Sequence, residues 1–211
     1  MEYDVFISCK SEDYIYAEEI YNFLTENGFK TFLASKELWQ IGDSEFRRAI
    51  SQALKSTYHL IVFASNAEYI DSEWVYYEWD WFLVAKIRGK KQGQLLTILK
   101  DVNIDDVNED LWKYESKTFE NYKDTLLSYV ETPAYLQRER ERTKNAKFEE
   151  KRKQLRDFEQ IKRDAKELQS MSPPELKEKL DAILTKVSIL LATSNNENIT
   201  LDFEYTHYRR M

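Results

Sequence analysis

Tyr58-His59-Leu60-Ile61-Val62-Phe63-Ala64 is the most apolar stretch of the chain, and its reading decides the fold. It is rich in β-branched and aromatic residues and shows no strict alternation of apolar with polar. A short run of this kind suits a strand covered on both faces, the environment of a central strand in a parallel sheet. The flanking sequence supplies what such a strand needs. Just upstream, Phe46, Ala49, Ile50, Ala53 and Leu54 recur at i, i+3, i+4, i+7 and i+8, which predicts a helix with one apolar face. Further upstream, residues 3–8 and 29–33 read as strands. Ala17, Ile20, Tyr21 and Leu24 place a helix over 14–27 that Gly28 stops. Downstream, a polar loop at 65–72 leads to a Trp- and Tyr-rich helix over 73–87, and residues 95–99 form a fourth strand. Residues 101–110 are acidic and read as irregular. Residues 117–119 give a short fifth strand, followed by a helix over 121–129. Strands alternating with helices imply right-handed βαβ crossovers and a parallel sheet.

Composition changes near Glu131, Thr132 and Pro133, which divides the chain into residues 1–130 and 131–211. Residues 138–166 are dense in Lys, Arg and Glu. Phe148, Leu155, Phe158, Ile161, Ala165 and Leu168 form a narrow apolar stripe on a long helix. Two readings of that stripe are open: a helix lying against the domain, or an intermolecular coiled coil. Ser172-Pro173-Pro174 breaks the chain before an amphipathic helix over 175–192. The tail at 199–205 alternates like an exposed edge strand.

The apolar share of 42% is enough for a core, and a net charge of −7 repels a polyanion, so nucleic acid is not an expected partner. The one cysteine, Cys9, makes no intrachain disulfide. With two histidines and no Cys/His cluster, no metal site is expected. The acidic opening MEYDVFISCK reaches the first strand at once and does not read as a signal peptide. No stretch approaches the roughly 20 apolar residues of a membrane span. The expectation is a soluble, cytoplasmic protein.

Three stretches, taken in order, carry a resemblance. Tyr3-Asp4-Val5-Phe6-Ile7-Ser8 is followed by Glu12-Asp13. Gly42 precedes Phe46 and Ile50 at the start of a helix. Ser72-Glu73-Trp74-Val75-Tyr76-Tyr77-Glu78 contains Trp-x-x-x-Glu on the helix after the third strand. In type, spacing and order these resemble the TIR (Toll/interleukin-1 receptor) domain family over residues 1–130. Two places depart from the family pattern. Cys9 and Lys10 stand where an aromatic and an arginine often follow the serine, so the planar guanidinium fork is replaced by a point charge. The loop Ser35-Lys36-Glu37-Leu38-Trp39-Gln40-Ile41-Gly42 lacks the proline commonly found before the glycine.

The resemblance implies a flavodoxin-like five-stranded parallel sheet of order 2-1-3-4-5 flanked by helices, with a C-terminal helical extension. Ligands in such sheets bind beyond the carboxyl ends of the strands at the switch point, here between the first and third strands. It further implies Glu78 as catalytic carboxylate and Ser8, Cys9, Lys10 and Trp74 around the substrate. Trp39 and Gly42 then belong to a loop that gates the site or mediates assembly. Enzymes of the family cleave the nicotinamide–ribose bond of NAD+, which is substrate and not cofactor. One carboxylate suffices there, because cationic nicotinamide departs neutral and needs no acid. The products are nicotinamide with ADP-ribose, a cyclic ADP-ribose or a related signal. The resemblance also implies a bacterial anti-phage role of the kind called Thoeris, with a downstream effector reading a nucleotide signal. A homo-oligomer through TIR–TIR and C-terminal helix contacts is expected. The alternative is a non-catalytic TIR scaffold that acts through TIR–TIR assembly.

Each residue also has a plainer reading. A glutamate on a helix is usually a solvated face. Trp74 can be a core or interface anchor, Lys10 a surface lysine and Ser8 a strand terminus. Cys9 reads as a small packed residue and His59 as a core or strand-edge residue.

Overall fold

The computed structural model describes residues 2–37, 43–167 and 173–194. Five strands, β1 (Tyr3–Ser8), β2 (Thr31–Leu33), β3 (Thr57–Ala64), β4 (Leu95–Leu99) and β5 (Glu115–Thr118), form one sheet of order β2-β1-β3-β4-β5. All pairings are parallel. β3 is the middle strand, in register with β1 through Ile7↔Ile61 and with β4 through Phe63↔Ile98. The helices are α1 (Tyr14–Glu26), α2 (Ala34–Glu37), α3 (Asp43–Ser56), α4 (Ala67–Ile70), α5 (Glu73–Ile87), α6 (Lys123–Tyr129), α7 (Pro133–Glu167) and α8 (Pro173–Ser194).

Side chains alternate across the pleat, so each strand feeds two cores. Phe6, Leu60, Val62 and Leu95 pack with Ile50 of α3, Ile70 of α4 and Trp79 and Phe82 of α5. Val5, Ile7, Ile61, Phe63 and Leu96 pack with Ala17, Ile20 and Leu24 of α1 and Leu126 of α6. No residue of β3 is exposed, as a strand without polar alternation requires. His59 is buried, with Nδ1 accepting the Gln94 N–H at 2.9 Å, and burial holds its pKa down at about 4. It is a neutral structural side chain.

Two glycines are dictated by geometry. Gly28 has φ 86 and turns the chain out of α1 into β2. At Gly93 a Cβ would lie 1.7 Å from the Tyr58 carbonyl oxygen, so any side chain would push β3 and the entry to β4 apart.

The structure adds detail where periodicity was absent. The loop after β2 begins with α2, and the polar loop after β3 contains α4, capped by Asn66 Oδ1 accepting the Glu68 N–H at 3.0 Å. The acidic stretch at 101–110 is more ordered than expected. It holds two 3₁₀ turns, Ile104–Asp106 and Glu109–Leu111, capped by Asn103 and Asn108. Val107 and Leu111 are buried in the core beside α5.

Two compact units divide the chain, Met1–Glu141 and Arg142 onward. The first includes the opening turns of α7. Thr132 caps that helix by accepting the Tyr135 N–H on Oγ1 at 2.9 Å, and Pro133 is its first residue. Thr132 Oγ1 donates in turn to Asp4 Oδ1 at 2.6 Å. Asp4, at the start of β1, also accepts the Lys30 N–H at 2.8 Å and pairs with Arg138. Tyr135 stacks on Phe29 with ring centroids 3.9 Å apart. In the second unit, Lys186 Nζ lies 2.9 Å from Asp164 Oδ2, and Lys179 pairs with Glu167, linking α7 to α8. Ile183 is buried there, whereas Phe148, Leu155 and Phe158 of the expected stripe are exposed. Trp39, Gly42, Leu168 and the expected edge strand at 199–205 lie outside the described residues.

Candidate active site

On α5 the positions Val75, Glu78, Trp79, Phe82 and Leu83 are buried, a stripe of i, i+3, i+4, i+7 and i+8. Four of the five are apolar, and Glu78 stands where packing alone would select a fifth. The rotation of α5 is fixed by Trp79, which is fully buried and donates its indole N–H to the Ile70 carbonyl at 3.0 Å. That places Glu78, only 6% exposed, over the carboxyl end of β1. Ser8, the last residue of β1, donates its hydroxyl to Glu78 Oε2 at 2.5 Å.

Glu78 lines a cleft of about 250 Å³. One wall is the segment after β1, with Cys9, Lys10, Ser11 and Tyr14. Ala34 and Ile50 form another, and Ser72, Glu73 and Trp74 at the start of α5 complete it. The cleft does not sit in the gap between β1 and β3, where the sequence placed it, and none of its lining residues comes from β3. At that gap stands Asp13. Its buried carboxylate accepts the Ser65 N–H at 2.9 Å and the Ser65 hydroxyl at 2.5 Å, tying the segment after β1 to the segment after β3. The open space lies toward β2 and α3.

Burial pushes the Glu78 carboxyl up to about 7, against the opposing pull of the Ser8 hydrogen bond. The sign matters for stability. A carboxyl whose folded pKa is raised favours folding fully below its unfolded pKa, and that contribution is lost as pH rises through about 7. Glu78→Gln, neutral at every pH, is therefore expected to be more stable than the wild type by roughly 3 kcal/mol at pH 8 and about equal to it near pH 4. Thermal melts of both proteins at the two pH values measure the difference. A buried carboxyl whose pKa burial raises, lining a cleft, makes Glu78 the candidate functional group of the domain.

The other expected site residues fall as follows. Cys9 lines the cleft, but burial, with Glu78 and Asp13 nearby, pushes its thiol well above the ordinary range, so it supplies no thiolate at neutral pH. Lys10 also lines the cleft, with Nζ 2.9 Å from Glu12 Oε1 and 4.4 Å from the centre of the Tyr69 ring. Trp74 lines the cleft and is 43% exposed, with the Arg47 guanidinium carbon 5.1 Å from its ring centroid. Trp74 is not a core anchor; Trp79 is. Tyr14, Asp13 and Ser65 were not singled out as site residues. Asp13 belongs to the first motif by position, but nothing in the sequence pairs it with Ser65. Among the described residues no His/Cys/Asp/Glu group could hold a metal ion, and no helix is long and apolar enough to cross a membrane.

A family model for the TIR domain matches residues 5–127. The chain belongs to the TIR domain family. Comparison with curated proteins gives no match. Among solved structures, a metazoan TIR-STING receptor from C. gigas is 19% identical with a TM-score of 0.49, over 62% of this chain and 41% of that one. This TIR protein thus spans well under half of that receptor's length. The TIR domain of the Toll-related Receptor TRR-2 from Hydra magnipapillata is 20% identical with a TM-score of 0.44, covering 60% of this chain and 91% of that one. The TIR domains of the activated Roq1 resistosome are 27% identical with a TM-score of 0.37, over 48% of this chain and 59% of that one.

Proposed function

We propose that this TIR protein is an NAD+ nucleosidase that releases nicotinamide and leaves ADP-ribose, a cyclic ADP-ribose or a related signal. The observation that carries this reading is the burial of a single carboxyl in the apolar stripe of α5, facing a cleft with one hydroxyl donor, Ser8, on it. Ser8 holds Oε2 and sets the orientation of the group. The ionised carboxylate accepts hydrogen bonds from ribose hydroxyls and stabilises the positive charge that grows on the sugar as the bond to nicotinamide breaks. In a site shielded from water this charge interaction is stronger than it would be in bulk solvent. The cleft of about 250 Å³ is below the roughly 300–1,000 Å³ of sites for drug-sized ligands, so it suits the nicotinamide-ribose end, with the adenosine half along the rim.

Assembly belongs to the same proposal. The exposed Phe148, Leu155, Phe158, Leu180 and Leu184 on α7 and α8 supply apolar surface for contact between copies, consistent with a homo-oligomer. We place the activity in the cytoplasm, in a bacterial anti-phage setting in which a separate effector reads the product. That rests on the family.

Incubation with NAD+ followed by chromatography tests the reading, which expects free nicotinamide. No release, even in concentrated solution, would instead support a scaffold that acts through assembly. The pH dependence follows from Glu78. Since the carboxylate is the active form, kcat/KM is expected to rise with pH to a plateau above about 7, and to be about 100-fold lower at pH 5. Cationic nicotinamide favours the carboxylate, so the kcat profile should turn at a lower pH than the kcat/KM profile.

A further inference from the structure

The charges around the cleft do not balance for a dinucleotide. Its lining holds Glu73 and Glu78 against Lys10 alone. The Lys10 ammonium is already met by Glu12 at 2.9 Å and by the Tyr69 ring at 4.4 Å. A diphosphate entering there would face net negative charge. One further cation stands at the mouth. Arg47 lies on α3 one turn before Ile50, which lines the cleft, and its guanidinium is over the ring of Trp74 on the opposite wall. It is exposed, and among the described residues it makes no ion pair or hydrogen bond. The indole steadies the guanidinium through its π face and uses none of its five N–H donors. A planar cation held this way is prepared to take two phosphate oxygens side by side.

We infer that Arg47 is the diphosphate-binding residue of this site, gripping the bridge between the two halves of a dinucleotide whose nicotinamide ribose lies at Glu78. This rests on the reading of the cleft as a dinucleotide site. Arg47 then takes up the role that Lys10, paired with Glu12, fills poorly. It touches phosphate and not the reacting carbon, so it sets affinity and leaves the chemical step to Glu78.

The test is steady-state kinetics of the full chain and of Arg47→Ala and Arg47→Lys, with NAD+ and with nicotinamide riboside, which lacks the diphosphate. The riboside is read as a substrate or as a competitor of NAD+. Arg47→Ala is expected to raise the KM for NAD+ by about tenfold or more with kcat within about threefold. The constant for the riboside should stay put, and Arg47→Lys should fall between. An unchanged KM for NAD+ would overturn the proposal. So would an equal loss toward NAD+ and the riboside, which would mean that Arg47 acts only by positioning Trp74. If the wild type itself releases no nicotinamide from NAD+, the enzymatic reading has failed and this assignment falls with it. That outcome is distinct from an active wild type with an indifferent Arg47.

Discussion

Glu78→Gln is expected to lower kcat for nicotinamide release by about 10³-fold or more while the protein stays folded. The amide has the shape of the carboxyl it replaces, and its oxygen can still accept from Ser8, 2.5 Å away in the wild type. What is lost is the negative charge facing the sugar, in a pocket where little water compensates for it. The stability change runs the other way, because a neutral side chain ends the cost of ionising a buried group whose pKa burial raises to about 7. A variant that is inactive yet melts higher at pH 8 separates loss of chemistry from loss of fold. A poorly active variant that also melts lower would be an ordinary packing defect. Chromatography of nicotinamide and a melting curve on the same sample decide between them.

The second large effect is at the opposite end of the sheet. Asp4 is 4% exposed and satisfies the Lys30 N–H, the Thr132 hydroxyl and Arg138. Asp4→Ala leaves the buried Thr132 hydroxyl and the part-buried Lys30 N–H without this acceptor and frees Arg138, whose side chain is 27% exposed and can turn to water. The expected loss is on the order of 3 kcal/mol, most of it from the stranded donors. Asp4→Asn keeps part of the acceptor capacity and should cost about half as much. Thr132→Ala removes the cap of α7 and one bond to Asp4, and should cost about 1 kcal/mol. Urea unfolding of the three variants gives the ranking. An Asp4→Ala midpoint equal to that of the wild type would mean that the junction of α7 with the domain is not held by this carboxylate.

How much of this could be read in advance follows from which interactions are local. The parallel sheet was legible because the run at 58–64 has no polar alternation and helical periods flank it on both sides. Gly28 marked the end of α1 for the same local reason. The position of Glu78 was legible through the Trp-x-x-x-Glu motif alone: Trp74, Tyr76, Tyr77 and Trp81 spread apolar character around α5, so no period set apart the buried stripe that holds it. The remainder depends on contacts distant in sequence. Asp13 meets Ser65 across 52 positions, a tie between the segments after β1 and β3 that no local pattern reveals. A period says which face of α3 and α5 turns inward but not which residues meet across them, so the pairing of Arg47 with Trp74 was invisible. The short helix α4 and the 3₁₀ turns at 104–111 are held by single Asn caps and isolated apolar residues, too few to form a period.

The most direct measurement is a crystal structure of Glu78→Gln with NAD+ bound. The nicotinamide ribose is expected over the end of β1, with a ribose hydroxyl within hydrogen-bond distance of the residue 78 amide and the diphosphate at the α3 rim. A dinucleotide bound elsewhere, or one whose ribose lies remote from residue 78 while Trp74 and Ser8 keep their places, would contradict the assignment of this carboxyl as the group that acts on the sugar.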